Sequence, residues 1–235
     1  ALVRSRFPAR LVALALEGFV DRCAEGGGAG DVIAREGAVR RELVFFLELR
    51  PSAVVLEDVV DAGDAVVAAG HDLLAGFLKI NDDLRRKNNQ YIRDLAKKTS
   101  PELLFMDAFQ QLGNSAVQAQ FADARTYVYK GKEIDQQVHL GFDLATTANA
   151  PISATQRGVV VHADDLGIYG NCVVIDHGMG IQSLYGHLSS IGVKVGDKVE
   201  KGQEIGRSGQ TGLAGGDHLH FTTLVGGEQV TPVDW

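Results

Sequence analysis

The sequence predicts an α+β protein in which a compact antiparallel β-sheet or sandwich follows a mixed, partly helical N-terminal region. Three observations lead there. From Thr126 onward the chain breaks into short apolar runs separated by Gly-containing turns, and many short strands punctuated in this way belong to small antiparallel sheets. Ahead of them, residues 82–98 carry Leu84, Tyr91, Ile92 and Leu95 as an apolar stripe among Arg, Lys and Asn, the pattern of an amphipathic helix. Between the two, Ser100-Pro101 stops the helix.

Taken in order, residues 1 to about 75 are rich in Ala, Val, Leu, Arg and Glu, with a break at Gly26-Gly27-Gly28. Residues 10–24 and 32–49 have helix-compatible composition, although Leu43-Val44-Phe45-Phe46-Leu47 fits a strand equally well. After Pro101 a short element is expected over residues 102–109. Tyr127-Val128-Tyr129 alternates into Lys130-Gly131-Lys132, a hairpin signal. Gly158-Val159-Val160-Val161, residues 172–175 and residues 181–185 read as strands, the last two joined by Gly178-Met179-Gly180. Residues 192–209 carry Gly at nearly every turn, with Val195, Val199 and Ile205 spaced to fill a small core. The expected organisation is an N-terminal region over residues 1–100, its helices beside a second domain over residues 101–235.

Composition narrows the function classes. The 235 residues, 45% hydrophobic and 23% charged, allow one or two domains with real cores. A net charge of −7 argues against nucleic acid as a partner, since a basic footprint is its signature. Cys23 and Cys172 do not make a disulfide framework, and Cys172, ahead of Val-Val-Ile, reads as a buried thiol. No segment reaches the roughly 20 apolar residues of a membrane span. Residues 11–20 are apolar and follow Arg4, Arg6 and Arg10, but Glu17 interrupts them and no clean cleavage pattern follows, so an amphipathic helix is expected there. The chain opens on Ala1, and the expectation is a processed segment whose export signal or membrane anchor lies upstream.

The histidines carry the chemistry. In a strand, side chains at i and i+2 leave one face, so His218 and His220 of His218-Leu219-His220 point together while Leu219 and Phe221 take the core side. His139 and Asp143, four apart, converge on one face of a helical turn or across a short irregular loop. Two imidazoles and one carboxylate leave a fourth tetrahedral position open, as catalytic rather than structural zinc sites do. Tyr185-Gly186-His187 supplies a further imidazole at the end of an apolar run. His71, His162 and His177 read as ordinary surface histidines.

Further motifs stand in a fixed order with these: Ala154-Thr155-Gln156-Arg157-Gly158-Val159-Val160, the run from Gly167 through Asn171 to Gly178, and Leu184-Tyr185-Gly186-His187-Leu188. Val195-Gly196-Asp197-Lys198-Val199, Gly202, Ile205-Gly206, Gly209-Gln210-Thr211-Gly212 and His218-Leu219-His220-Phe221 follow. Across roughly the last hundred residues this series resembles the lysostaphin-like zinc endopeptidases, which cut the peptide cross-bridges of bacterial peptidoglycan. The resemblance implies one Zn2+ per chain, with His139, Asp143 and His220 as its ligands and His187 and His218 as non-ligand catalytic histidines. It also implies peptidoglycan peptide stems as the partner and an exported protein of the periplasm or cell envelope. Two substrate classes fall under it, pentaglycine bridges and D-Ala to diaminopimelate links, and helices ahead of the catalytic module favour the second.

Zinc lowers the pKa of bound water and polarises a carbonyl, while imidazole serves as acid or base near neutral pH. His218, beside a ligand on the same strand, is placed to hydrogen-bond the attacking water. His187 approaches from another strand to stabilise the tetrahedral intermediate, and either ring can be the base. The competing functions are a lipoyl- or biotinyl-carrier-like module, suggested by residues 195–203, and a non-catalytic adaptor that activates a separate wall hydrolase. Carriers have no use for convergent imidazoles, and an adaptor predicts a damaged ligand set. Within residues 109–123, Asn114 follows a Gly and either caps the next element, residues 115–121, or reaches out of a turn to cover the open metal position.

Overall fold

A computed structural model describes residues 49–50, 53–56 and 73–235. The readings for residues 10–24 and 32–48, Cys23 and His71 lie outside them. Strands β1 (Leu49–Arg50) and β2 (Ala53–Leu56) precede a continuous helical stretch made of α1 (Leu73–Lys79), a π-helical turn (Ile80–Leu84) and α2 (Arg85–Ala96). An irregular crossing leads to β3 (Ala116–Ala119), β4 (Ala124–Tyr129), β5 (Lys132–Val138) and β6 (Phe142–Ala145). Then come β7 (Pro151–Ser153), β8 (Gly158–Asp165), β9 (Asn171–Asp176) and β10 (Ile181–Leu188). Strands β11 (Ser190–Ile191), β12 (Lys198–Val199), β13 (Glu204–Arg207), β14 (Leu219–Val225) and β15 (Glu228–Val230) complete the order.

The main sheet runs β12-β8-β9-β10-β14-β6-β3, with β15 also on β14, and is antiparallel throughout. A three-stranded sheet, β11-β13-β7, and a four-stranded sheet, β1-β2-β4-β5, flank it. In the latter, β2 pairs with β4 in parallel. Lys130 and Gly131, both at positive φ (50° and 72°), form the two-residue connection of the predicted β4–β5 hairpin and match its strand twist.

Alternation along the strands builds two apolar layers. Leu144, Val160, Val173, Ile175, Tyr185, Leu219 and Phe221 face one way and meet Ile152 of β7 and Ile205 of β13. Cys172, Val174, Leu184 and Leu224 face the other way, under Ile80, Ile92 and Leu95 of the helix and Leu166, Ile168 and Tyr169 of the β8–β9 connection. Each such aliphatic side chain contributes about 1.5–3 kcal/mol when fully buried. Of the predicted stripe, Ile92 and Leu95 are buried and Leu84 partly so, whereas Tyr91 is 42% exposed; the helix begins nine residues earlier, at Leu73 instead of Asp82. Two buried amides, Asn81 and Asn88, pin it. Asn81 Nδ2 donates to Asp135 Oδ2 at 2.6 Å, and Asn88 Oδ1 accepts from the Ile168 N–H at 3.0 Å.

Three expectations change. Residues 102–109 form no helix or strand; the backbone is tied sideways, from Leu104 N to His177 O and, just past the segment, from Gln110 N to Thr155 O, both at 2.8 Å. Val195 is 62% exposed while Val199 and Ile205 are buried, because the 194–197 turn carries Val195 outward. His162 and His177 are buried, not surface residues. His162 takes the Tyr91 hydroxyl at 3.2 Å. His177 Nδ1 donates to Arg157 O at 2.7 Å and its Nε2 meets Ser183 Oγ at 2.8 Å, with Phe109 against its ring at 4.9 Å. Polar partners, not solvent, explain both rings. Cys172 is free and buried, as expected, and burial pushes its thiol pKa up.

Two outcomes follow from this packing. Ile92→Ala should cost about 2–5 kcal/mol, read as a lower denaturant midpoint in a single transition. An unchanged midpoint would mean that the helix is not part of the sheet's cooperative unit. Burial lowers the pKa of His177 below its ordinary value of 6.5, so the unfolded chain takes up that proton first. Its contribution to stability is present above about pH 6.5 and is lost as the pH falls. His177→Gln should therefore lower stability at neutral pH and flatten its decline towards about pH 5, whereas parallel pH profiles for the two proteins would contradict the assignment.

Candidate metal centre

The centre is built on the second face of the main sheet, beside the helix. His220 of β14 lies directly opposite Asp143 of β6, flanked by the pairs Leu219 with Leu144 and Phe221 with Phe142. Because Leu219, Leu144 and Phe221 bury themselves in the first apolar layer, the alternating side chains of His220 and Asp143 emerge on the opposite face. His139 follows β5 and reaches the same place across Leu140-Gly141, a short loop and not a helical turn. Gly141 is required there: a Cβ would lie 2.6 Å from His220 Cε1.

Three atoms converge. His139 Nε2 is 3.0 Å from Asp143 Oδ1 and 3.1 Å from His220 Nδ1, and His220 Nδ1 is 3.0 Å from the same Oδ1. His139 Nδ1 faces the Gln120 carbonyl at 2.9 Å and must donate to it, so a neutral His139 turns a lone pair inward. That lone pair meets the carboxylate oxygen and the second imidazole at contact distance, and the opposite nitrogen of His220, Nε2, has no partner. Crowded electron pairs of this kind are relieved by a cation, and among the described residues His139, Asp143 and His220 are the group that can hold a metal ion together. Two nitrogens and one oxygen suit zinc-type coordination with an open position.

The other two histidines stand alongside. The His187 and His218 rings are 4.8 Å apart, and the His187 ring is 5.8 Å from that of His220. His218 bridges to Gly209 ahead of β14; its Nδ1 donates to Gly216 O at 2.8 Å, and its Nε2 is 3.5 Å from Asp143 Oδ1. Asp217 steadies this approach by accepting from Ser208 Oγ at 2.6 Å and Asn149 N at 2.9 Å. His187 sits where the β10 register shifts between Tyr185 and Leu188. Its φ of 63° is a left-handed conformation that costs a non-glycine residue about 1–3 kcal/mol and is found at functional sites. Its Nδ1 donates to Thr211 O at 2.8 Å, and Thr211 is itself fixed by bonds to Leu188 O and Asn171 N.

Electrostatics couple the cluster. Burial opposes ionisation of Asp143, but the three surrounding imidazoles, His139, His218 and His220, outweigh it and hold the carboxyl well below the usual range. Burial also disfavours protonated His218, yet Asp143 overrides it and raises that pKa. For His220 burial prevails, and its pKa falls to about 4. His187 is lowered well below the ordinary value, first by burial and then by the neighbouring His218 and His220.

All five predicted residues therefore meet in one place. Asn114 does not join them: it is exposed, at φ 55°, in the turn before β3, and among the described residues no hydrogen bond to the five comes from it. The neighbours that sequence reading missed are Arg125, whose Nη2 is 2.9 Å from Asp143 Oδ2, and Tyr169, whose ring lies 5.3 Å from that of His220. Arg125 carries no local motif, and Tyr169 lies within the Gly167–Gly178 run without having been given a role in the site; β4 and the β8–β9 connection bring them in from a distance.

Residues 137–232 match the model of Peptidase family M23. The peptidoglycan DD-endopeptidase ShyA of Vibrio cholerae is 45% identical over 92 residues, which is 39% of this chain and 21% of that protein. The murein hydrolase activator EnvC of Escherichia coli K12 is 37% identical over 95 residues, 40% of this chain and 23% of that protein. A solved zinc-containing peptidase from Vibrio cholerae superposes with a TM-score of 0.47 at 32% identity, covering 55% of this chain and 39% of that one. The chain spans about a fifth of the length of the curated relatives it matches. The five converging residues all fall inside the matched segment, and Arg125 and the helix lie ahead of it. Residues 137–232 of this chain are a Peptidase family M23 domain.

Proposed function

We propose that the chain is a zinc-dependent endopeptidase that hydrolyses peptide cross-links of bacterial peptidoglycan in the periplasm or cell envelope. The observation that carries this is the convergence of His139 Nε2, Asp143 Oδ1 and His220 Nδ1 within 3.1 Å, beside two further imidazoles. These three atoms would hold one zinc ion, which supplies Lewis-acid activation of water and of the scissile carbonyl. His187 and His218 would handle the protons. Each commits Nδ1 to a backbone carbonyl, which leaves Nε2 as the atom that takes a proton from the attacking water, stabilises the oxyanion or protonates the leaving amine. The DD-endopeptidase relative, at 45% identity over 92 residues, favours the D-Ala to diaminopimelate link as the bond cut. Residues 101–235 would form the peptidase domain, with the region over 1–100 lending the helix that covers the rest of the same sheet face.

The activator reading is favoured by the relative that bears that description; the complete set of converging side chains weighs against it. Hydrolysis of purified muropeptides, followed by mass analysis, separates the two. Chelation should abolish cleavage and zinc should restore it. His220→Ala should empty the metal site. His187→Ala should keep its metal and its fold yet lose about 10²–10⁴-fold in turnover. Full cleavage by metal-free protein would contradict the proposal, and metal binding without any cleavage, coupled to stimulation of a separate wall hydrolase, would establish the activator instead.

A further inference from the structure

We propose that Arg125 is a positioning residue that makes Asp143 a one-oxygen ligand. The inference rests on the metal-site reading above and assigns a role to a residue ahead of the matched family segment.

The two oxygens of Asp143 have separate partners. Oδ1 meets His139, His220 and His218 at 3.0, 3.0 and 3.5 Å, whereas Oδ2 takes the Arg125 guanidinium at 2.9 Å. Among the described residues no other Lys or Arg pairs with this carboxylate. The contact is well shielded, with side-chain exposures of 26% for Arg125 and 14% for Asp143, unlike the solvent-exposed ion pairs that contribute little. A carboxylate rotates readily about its last torsion and can bind a cation through one oxygen or both. Swinging Oδ2 inward would break a charge-assisted hydrogen bond, one of the stronger kinds. Arg125 thus holds Oδ1 forward and Oδ2 back, keeping a coordination position free for water and substrate.

The backbone around Arg125 supports the same task. His139 N donates to Asp123 O at 2.9 Å, and Ala122 N donates to His139 O at 2.8 Å. Gln120 O takes His139 Nδ1–H, and Arg125 then leaves β4, paired with Gln137 of β5, to reach Asp143. One short stretch, residues 120–125, therefore fixes the outward atoms of two of the three converging side chains. Partners of this kind commonly change metal affinity or activity about 10–100-fold when removed.

The test loads the full chain with cobalt(II), whose visible absorption is intense in four-coordinate sites and weak at higher coordination numbers. Wild type and Arg125→Lys, which keeps a cation for the single contact, should share one intense spectrum. Arg125→Met and Arg125→Gln should fold, as judged by circular dichroism and melting, and bind cobalt. They should lose most of that intensity as Oδ2 joins the metal, with about 10–100-fold lower kcat and little change in KM. Unchanged spectra in fully loaded Met and Gln variants would overturn the role of Arg125. If Arg125→Met does not fold, the comparison of Gln with Lys decides by the same criterion. Failure of wild type to bind cobalt at all would overturn the metal reading beneath it, a result distinguishable from the first.

Discussion

The register of β14 against β6 sets His220 opposite Asp143 and, one residue to either side, places Leu219 against Leu144 and Phe221 against Phe142. The same alternation that buries the apolar pairs in the first layer brings the polar pair out on the second face. A slip of one residue would exchange the two sets, driving an imidazole into the core and a leucine into the site. Core packing and site geometry are therefore one constraint. Gly186, opposite His220 on β10, and Gly141, against its ring, keep the space that this register needs.

Orientation follows a common device with one exception. His139, His187 and His218 each give Nδ1–H to a backbone carbonyl, of Gln120, Thr211 and Gly216. This locks their tautomers and turns Nε2 inward, an arrangement typical of imidazoles that ligate metals or transfer protons. His220 is reversed: Nδ1 faces Asp143 and His139, and Nε2 has no partner. The helix over residues 73–96 contributes at one remove. Through Asn88 it holds the Gly167–Tyr169 turn, whose Tyr169 packs on His220, and the Leu213 N–H returns to Ile168 O just beyond the loop that fixes His187. A strained backbone at His187 persists because its surroundings over-determine it.

Much of this was legible in the sequence, for identifiable reasons. His218-Leu219-His220 declared its own period, so its face and its core partners could be read directly. Lys130-Gly131 declared the hairpin, and Ile92 and Leu95 declared the buried side of the helix. What escaped depended on tertiary context. β10 is covered on both faces, by the first apolar layer and by the helix, so Gln182 and Ser183 are buried without any alternating signal. His162 and His177 looked like surface residues because the groups that satisfy them, Tyr91 and Ser183 among others, come from other elements or from the far side of a turn. Residues 102–109 read as a short element in isolation, yet the Leu104 N–H goes to His177 O just past β9 and the segment stays irregular. Arg125 is eighteen residues from Asp143 and has no spacing rule to betray it.

The central claim is that His139, Asp143 and His220, the last two set by one strand register, would together hold a single zinc ion. Anomalous diffraction at the zinc edge, from crystals grown with zinc, tests it most directly. The account predicts one anomalous peak within about 2.0–2.2 Å of His139 Nε2, Asp143 Oδ1 and His220 Nδ1. A peak bound instead by His187 and His218, or no peak at these three atoms in zinc-saturated crystals, would contradict it.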